Sequence, residues 1–88
     1  MALRERLLEN PFFVLGLTPE ATRVEVERAG QRLLAELAIR REAALHYDSP
    51  LGRAPRTPEL VRHALAELRD PGRRLLHEVW AQAPVFRP

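Results

Sequence analysis

The fold of this chain is indicated first by a stretch near its start that reads Asn10-Pro11-Phe12-Phe13-Val14-Leu15-Gly16-Leu17. Asn10 is a typical N-cap, and Pro11 suits the first helical position because proline lacks the N–H that would stay unbonded there. Gly16 is a typical helix end, since glycine adopts the left-handed conformation without a steric cost. We therefore expect a short helix between Asn10 and Gly16.

A long second helix is predicted from Thr22 to about His46. Thr22 and Glu25 have the spacing of a capping box. Apolar residues then recur every three or four positions for most of the run, which is the helical period. These residues are Val26, Ala29, Leu33, Leu37 and Leu45.

Two more helices are predicted in the C-terminal half. The segment from Asp48 to Thr57 contains two prolines and a glycine, so we expect a loop there. Thr57-Pro58 repeats the cap-then-proline signal and opens a third helix, whose apolar stripe consists of Leu60, Ala64, Leu65 and Leu68. Asp70-Pro71 ends that helix and opens a fourth, which runs to about Gln82 and is expected to bury Leu75, Leu76, Val79 and Trp80.

These signals predict one all-α domain over residues 1–88, with its core in residues 10–82 and a tail at 83–88. No segment alternates with a period of two, so strands are not expected. A separate turn at Leu3 to Leu8 is expected to precede the first helix. In the tail, Val85 and Phe86 are predicted either to pack on the domain or to anchor a partner.

The composition argues against catalysis and against a membrane span. The chain has no cysteine, and its apolar runs are too short to cross a bilayer, so we expect a cytoplasmic location. His46, His63 and His77 are too widely spaced for a helical metal site, and no phosphate-binding glycine loop is present. We expect neither an enzyme nor a bound cofactor or metal.

The charge is smaller than the isoelectric point of about 10.4 suggests. All 14 basic side chains are arginine, which stays protonated to very high pH, yet the formal net charge is only +2. Arginine in place of lysine is typical of a GC-rich genome or a thermophile. The isoelectric point therefore does not indicate a nucleic-acid partner.

Three motifs occur in a recognisable order. They are Asn10 to Leu17, the helix start Ala21 to Ala29, and the segment Ala64-Leu65-Ala66-Glu67-Leu68-Arg69-Asp70-Pro71-Gly72-Arg73-Arg74. Together they resemble the J domain of DnaJ-type co-chaperones over roughly residues 10–80. The resemblance implies four helices, with long antiparallel second and third helices and short first and fourth ones. It also implies contact with a DnaK-type ATPase through a His-Pro-Asp tripeptide.

The tripeptide is altered in this sequence. The nearest match is His46-Tyr47-Asp48, in which tyrosine replaces the proline that would end the helix and orient its neighbours. The match also lies about two turns further from Thr22 than the family places it, which implies a lengthened second helix. At the usual distance this chain has Ala38-Ile39-Arg40.

The candidate partner-binding residues are His46, Tyr47 and Asp48 together with the arginines of the second helix, Arg28, Arg32, Arg40 and Arg41. In J domains a basic second-helix face contacts an acidic chaperone surface. The simpler interpretation is a solvated helix end and a solvated face with intrahelical pairs such as Arg28 with Glu25 and Arg32 with Glu36.

Three functions remain open at this point. The first is a non-catalytic, J-like protein–protein interaction module whose partner is unknown. The second is a co-chaperone that stimulates a DnaK-type ATPase. The third is nucleic-acid binding through Arg62, Arg69, Arg73 and Arg74, which the low net charge argues against. The sequence does not indicate the oligomeric state.

Overall fold

The structure is a computed structural model, and it describes residues 8–82. In these residues the chain forms four α-helices, a 3-10 turn and one β-hairpin. Their order is α1 (Pro11–Leu15), α2 (Arg23–Ala38), the 3-10 turn (Glu42–Ala44), β1 (His46–Ser49), β2 (Gly52–Pro55), α3 (Pro58–Arg69) and α4 (Pro71–Gln82). The predicted tail at 83–88, and all but the last residue of the turn predicted over 3–8, lie outside the described residues.

The predicted helix starts are confirmed by their capping hydrogen bonds. The Oδ1 atom of Asn10 accepts from the N–H of Phe12 at 3.0 Å, and Gly16 ends α1 with a φ of 69°. Thr22 and Glu25 form the reciprocal capping box, with bonds of 3.1 and 2.8 Å. The capping residues predict the helix starts correctly because the side chain of each one bonds a backbone N–H group that the first helical turn leaves unbonded.

The predicted extension of the second helix to His46 is wrong, because α2 ends at Ala38. Arg40 adopts the left-handed conformation, with a φ of 53°. Its N–H donates to Leu37 O at 3.0 Å, and the N–H of Arg41 donates to Glu36 O at 2.9 Å. This pair of bonds is a Schellman motif with arginine in the position that glycine usually holds. Because no glycine marks the end of α2, the apolar periodicity alone predicted a helix that is too long.

The all-α prediction is also wrong, because residues 46–55 form an antiparallel hairpin. Pro50 and Leu51 connect the strands, and Gly52 closes the turn with a φ of 118°. The Ser49 hydroxyl supports the turn by accepting from the N–H of Leu51 at 3.1 Å and donating to Gly52 O at 2.8 Å. Strands of four residues are too short to show a period of two, so the pattern missed them. The chain is mixed α/β.

The core lies where α1, α2, α3 and the inner face of the hairpin meet. The predicted α2 residues Val26, Ala29, Leu33 and Leu37 are buried, as are Ala64, Leu65 and Leu68 of α3. The predicted Leu60 is only partly buried, and Val61 is fully buried in its place. At Gly30 the two long helices approach so closely that a Cβ atom would overlap the side chain of Leu65.

The predicted burial of the α4 leucines is wrong. Leu75, Leu76 and Val79 keep 61%, 45% and 60% of their surface exposed, and Trp80 is only partly buried. The side chains that α4 turns towards the rest of the domain are Arg74, His77 and Glu78 together with Ala81. The helix is therefore held by polar contacts together with the packing of Ala81 against the core, and an apolar face is turned outwards.

Candidate partner-binding surfaces

The predicted tripeptide lies on β1, not at the end of a helix. His46 and Asp48 are exposed, whereas Tyr47 points into the core and keeps only 5% of its surface accessible. On the partner strand Arg53 lies opposite Asp48, and its Nη2 atom is 3.3 Å from Nδ1 of His46. The hairpin thus separates the tripeptide into two surface residues and one core residue.

Tyr47 has a structural role in the hairpin. Its hydroxyl donates to Leu8 O at 2.9 Å, which ties β1 to the segment preceding α1. Burial, with the negative charge of Glu9 nearby, raises the pKa of Tyr47 above its usual value, so the phenol stays neutral at physiological pH. A partner at this surface would meet His46 and Asp48 but only a small part of Tyr47.

The arginines predicted to join this site fall into two groups. Arg28 and Arg32 are exposed one turn apart on α2. Arg40 and Arg41 lie in the Schellman turn, where Arg41 pairs with Glu36 at 3.6 Å. Within residues 8–82 no hydrogen bond or ion pair joins any of these four arginines to the hairpin residues. The pairing predicted between Arg32 and Glu36 is replaced by the pair between Arg41 and Glu36.

Arg56 is a buried cation that the sequence analysis missed. It is 9% exposed, and its Nε and Nη1 atoms donate to Val14 O at 2.8 Å and to Ala44 O at 3.1 Å. The guanidinium also lies 5.7 Å from the centre of the Tyr47 ring. Burial is the main cause that lowers the pKa of Arg56 from its usual value. The sequence does not indicate that Arg56 turns inwards, because it follows Pro55 in a segment that was predicted to be a loop.

Arg74 holds α4 on the domain. Its Nη2 atom donates to Ala21 O and, at 3.3 Å, to Pro19 O in the turn between α1 and α2. The guanidinium stacks 5.4 Å above the centre of the Phe12 ring and pairs with Glu78 at 3.4 Å. These contacts fix one side of α4 against α1.

Two further residues, Asn10 and Glu67, hold the same side of α4. Asn10 caps α1 and also donates from Nδ2 to His77 O at 3.1 Å. Glu67 of α3 accepts from Arg73 at 2.9 Å and contacts His77 at 3.0 Å. Because the polar side is anchored, Leu75, Leu76 and Val79 project from the opposite side. We call these three residues the α4 apolar surface.

The arginines considered for nucleic-acid binding are mostly engaged in ion pairs. Arg69 makes two parallel bonds to Glu27, at 3.0 and 2.8 Å. Arg73 pairs with Glu67, and Arg74 with Glu78. Arg62 is exposed on α3. The positive charge in this region is therefore largely balanced by nearby carboxylates.

Comparison of the chain with protein-family models, with curated proteins and with solved structures gave no match. Among residues 8–82 there is no group of His, Asp and Glu side chains arranged to hold a metal ion. None of the helices in the same range is both long and apolar enough to cross a membrane.

Proposed function

We propose that this chain is a non-catalytic protein–protein interaction module, related to J domains, that binds another protein through the α4 apolar surface. The observation that carries the proposal is the outward orientation of Leu75, Leu76 and Val79, which keep 45–61% of their surface exposed. Scattered exposed apolar residues are ordinary, but a contiguous group is typical of an interaction site.

The orientation of α4 follows from specific bonds and not from weak packing. Turning the helix to bury the leucines would break the bonds of Arg74 to the backbone of Pro19 and Ala21. It would also remove the contact between His77 and Glu67. A net hydrogen bond contributes about 1 kcal/mol, and more where a charge takes part. The apolar side therefore stays available to a partner.

The two other functions remain alternatives. Stimulation of a DnaK-type ATPase rests on the altered tripeptide, of which only His46 and Asp48 are exposed. Nucleic-acid binding rests on arginines that are mostly paired with carboxylates. Among residues 8–82, neither alternative rests on a group of exposed apolar side chains comparable with the α4 apolar surface.

The proposal is tested with the double variant Leu75→Ser/Val79→Ser of the full chain. Both side chains point outwards, so we expect the free energy of unfolding to change by no more than about 0.5 kcal/mol each. The tagged protein is used to isolate partners from its native host, and a captured protein is then purified and titrated against both forms by calorimetry. We expect a binding heat-capacity change that is negative for the wild type, because apolar surface is buried.

The matched control is Arg62→Ser/Ala66→Ser, which changes two exposed positions one turn apart on α3. We expect the control to bind like the wild type and the α4 variant to lose at least about tenfold in affinity, which corresponds to 1.4 kcal/mol. A partner that binds the α4 variant as tightly as the wild type contradicts the proposal. Sedimentation velocity on all three proteins shows whether the partner is a second copy of the chain.

A further inference from the structure

The outer edge of β1 presents backbone groups that β2 does not use. The N–H of Arg56 donates to Leu45 O at 2.8 Å, which marks a hydrogen-bonded pair just before the strands. Hydrogen-bonded and non-hydrogen-bonded pairs alternate in an antiparallel ladder, so Tyr47 belongs to the next hydrogen-bonded pair. His46 and Asp48 lie between these positions. Their N–H and C=O groups therefore point away from β2.

This edge borders a cleft between β1 and α1. The α1 side of the cleft contains Phe13, Gly16 and Leu17, and the hairpin side contains His46 and Asp48. Phe13 and Leu17 are only partly buried, so they offer apolar surface to anything that lies along the strand. An extended segment paired with β1 would place alternate side chains against this surface.

Arg56 supplies a positive charge to the same cleft, which it helps to line. Its Nε and Nη1 atoms are used by backbone carbonyl groups, and no described residue accepts from Nη2. None of the ion pairs formed within residues 8–82 includes Arg56. Buried charges in proteins are usually paired, because an unpaired one costs desolvation free energy. Burial is the main cause that lowers the pKa of Arg56, and the nearby charge of Arg32 acts in the same direction, whereas Tyr47 and Glu36 act in the opposite direction.

We propose that this cleft binds an extended, acidic segment of a partner protein, which adds to the edge of β1 as a third strand and places a carboxylate on Nη2 of Arg56. Strand addition gives affinity through backbone hydrogen bonds and specificity through alternate side chains. Here the apolar side chains of the segment meet Phe13 and Leu17. The carboxylate compensates the buried guanidinium and forms a charge-assisted hydrogen bond.

The charges around the cleft define the position of that carboxylate. Asp48 is on the rim and disfavours an acidic group beside it, although Arg53 lies directly across the hairpin from it. Arg56, whose Nη1 atom donates to Ala44 O of the 3-10 turn, favours an acidic group further along β1 in that direction. Arg32 adds to the positive charge at Arg56, and the carboxylate of Glu36 partly offsets it. This surface does not depend on the α4 apolar surface, since the two are built from different elements and their variants are tested separately.

The test uses a displayed library of short, linear random peptides selected on the immobilised full chain. We expect the selected peptides to contain alternating apolar residues and at least one Asp or Glu. Asp48→Pro removes an N–H that points away from β2, so the hairpin keeps its own bonds, and proline is tolerated at such edge positions. We expect this variant to lose at least about tenfold in peptide affinity. Asp48→Ala, which loses only the side chain, is expected to retain binding.

Two further measurements keep the result independent of folding. Arg56→Met is expected to abolish the preference for acidic peptides, and its circular dichroism spectrum shows whether the domain is still folded. Amide hydrogen exchange on the wild type is expected to show that a bound peptide slows exchange at His46 and Asp48, with little change at Tyr47. Failure to select any peptide, equal binding to Asp48→Pro and the wild type, or no change in exchange at His46 and Asp48 would overturn the proposal.

Discussion

His77 Nε2 lies 3.0 Å from Glu67 Oε1, and the two side chains are only 20% and 18% exposed. The contact joins α4 to α3 and is one of the bonds that turn the polar side of α4 inwards. Arg73 of α4 reaches the same carboxylate at 2.9 Å, and His63 of α3 adds a weaker electrostatic contribution. Glu67 is therefore the main acidic residue beneath α4.

Glu67 is expected to make the stability of the domain depend on pH. The hydrogen bond with His77, followed by that with Arg73, holds the pKa of Glu67 below its usual value of 4.5. A lowered pKa means that the stabilisation is complete above about pH 4.5 and is lost as the pH falls through the folded-state value. We expect Glu67→Gln to be less stable than the wild type at neutral pH and to lose less stability on acidification.

Urea unfolding at a series of pH values between neutral and acidic measures this difference. Glu20→Gln, at an exposed position in the turn before α2, is the control. Some acid sensitivity remains in all forms, because hydrogen bonds also lower the pKa of Glu25 and of Glu27. If Glu67→Gln and the wild type lose stability in parallel on acidification, Glu67 is not the group responsible.

Gly30→Ala is expected to destabilise the domain even though alanine is the better helix former. The exchange contributes up to about 1 kcal/mol through helix propensity. However, a Cβ at Gly30 would overlap the Leu65 side chain, which is itself 2% exposed and cannot move freely. Overpacking of this kind costs about 1–3 kcal/mol. We expect a net loss of about 1 kcal/mol and a fall in Tm of about 4–8 °C, measured by thermal unfolding.

Gly72→Ala is the matched control for that substitution. Gly72 is exposed on α4, and a Cβ there would meet only Asp70 Oδ1 at an ordinary contact distance of 3.4 Å. We expect Gly72→Ala to be neutral or stabilising. A Gly30→Ala variant as stable as Gly72→Ala would show that α2 and α3 are not closely packed at this point.

The helix starts could be predicted from the sequence because their causes are local. Asn10, Thr22 and Thr57 each satisfy backbone N–H groups within three residues of themselves. The end of α2 could not be predicted in the same way. Glycine is the residue that usually adopts the left-handed conformation at a helix end, but here it is Arg40. The residue type therefore did not indicate where α2 ends.

The hairpin and the orientation of α4 depend on contacts that are distant in sequence. Tyr47 is fixed by Leu8, and Arg74 is fixed by the backbone of Ala21. The apolar period of α4 correctly indicated a helix but not which side faces the core. The candidate residues His46 and Asp48 were identified from the resemblance to J domains. Arg56 could be identified as a candidate binding residue only from its burial in the structure.

We expect the full chain not to bind DNA or RNA at about 50 mM salt, where phosphate contacts are strong. The reason is that Arg69 and Arg73 already bond to Glu27 and Glu67. Fluorescence anisotropy with a labelled duplex and a labelled single strand measures this. The double variant Glu27→Gln/Glu67→Gln is the informative comparison, because it frees both arginines. Binding by the wild type that weakens steeply with salt would contradict the expectation.

Introducing at Tyr47 the proline that the resemblance to J domains implies is expected to unfold the domain. In Tyr47→Pro the backbone N–H that belongs to the hairpin ladder is lost, together with an aromatic side chain that is only 5% exposed. The lost aromatic side chain costs about 3 kcal/mol or more, and the lost ladder hydrogen bond costs about 1 kcal/mol in addition. Together they are a large part of the stability of a small domain. Tyr47→Phe, which loses only the bond to Leu8 O, is expected to cost about 1 kcal/mol. Circular dichroism and urea unfolding distinguish the two variants.

We expect the wild-type chain not to accelerate single-turnover ATP hydrolysis by a DnaK-type chaperone. The tripeptide is part of a strand, Tyr47 is buried, and the end of α2 carries Ile39 and Arg40 where the resemblance would place the active residues. An intact DnaJ-type J domain is the positive control, and circular dichroism confirms that the tested chain is folded. Stimulation by the wild type that His46→Gln and Asp48→Asn both abolish would contradict this expectation. It would show that His46 and Asp48 engage the chaperone from a β-strand, without the proline or a helix end to orient them.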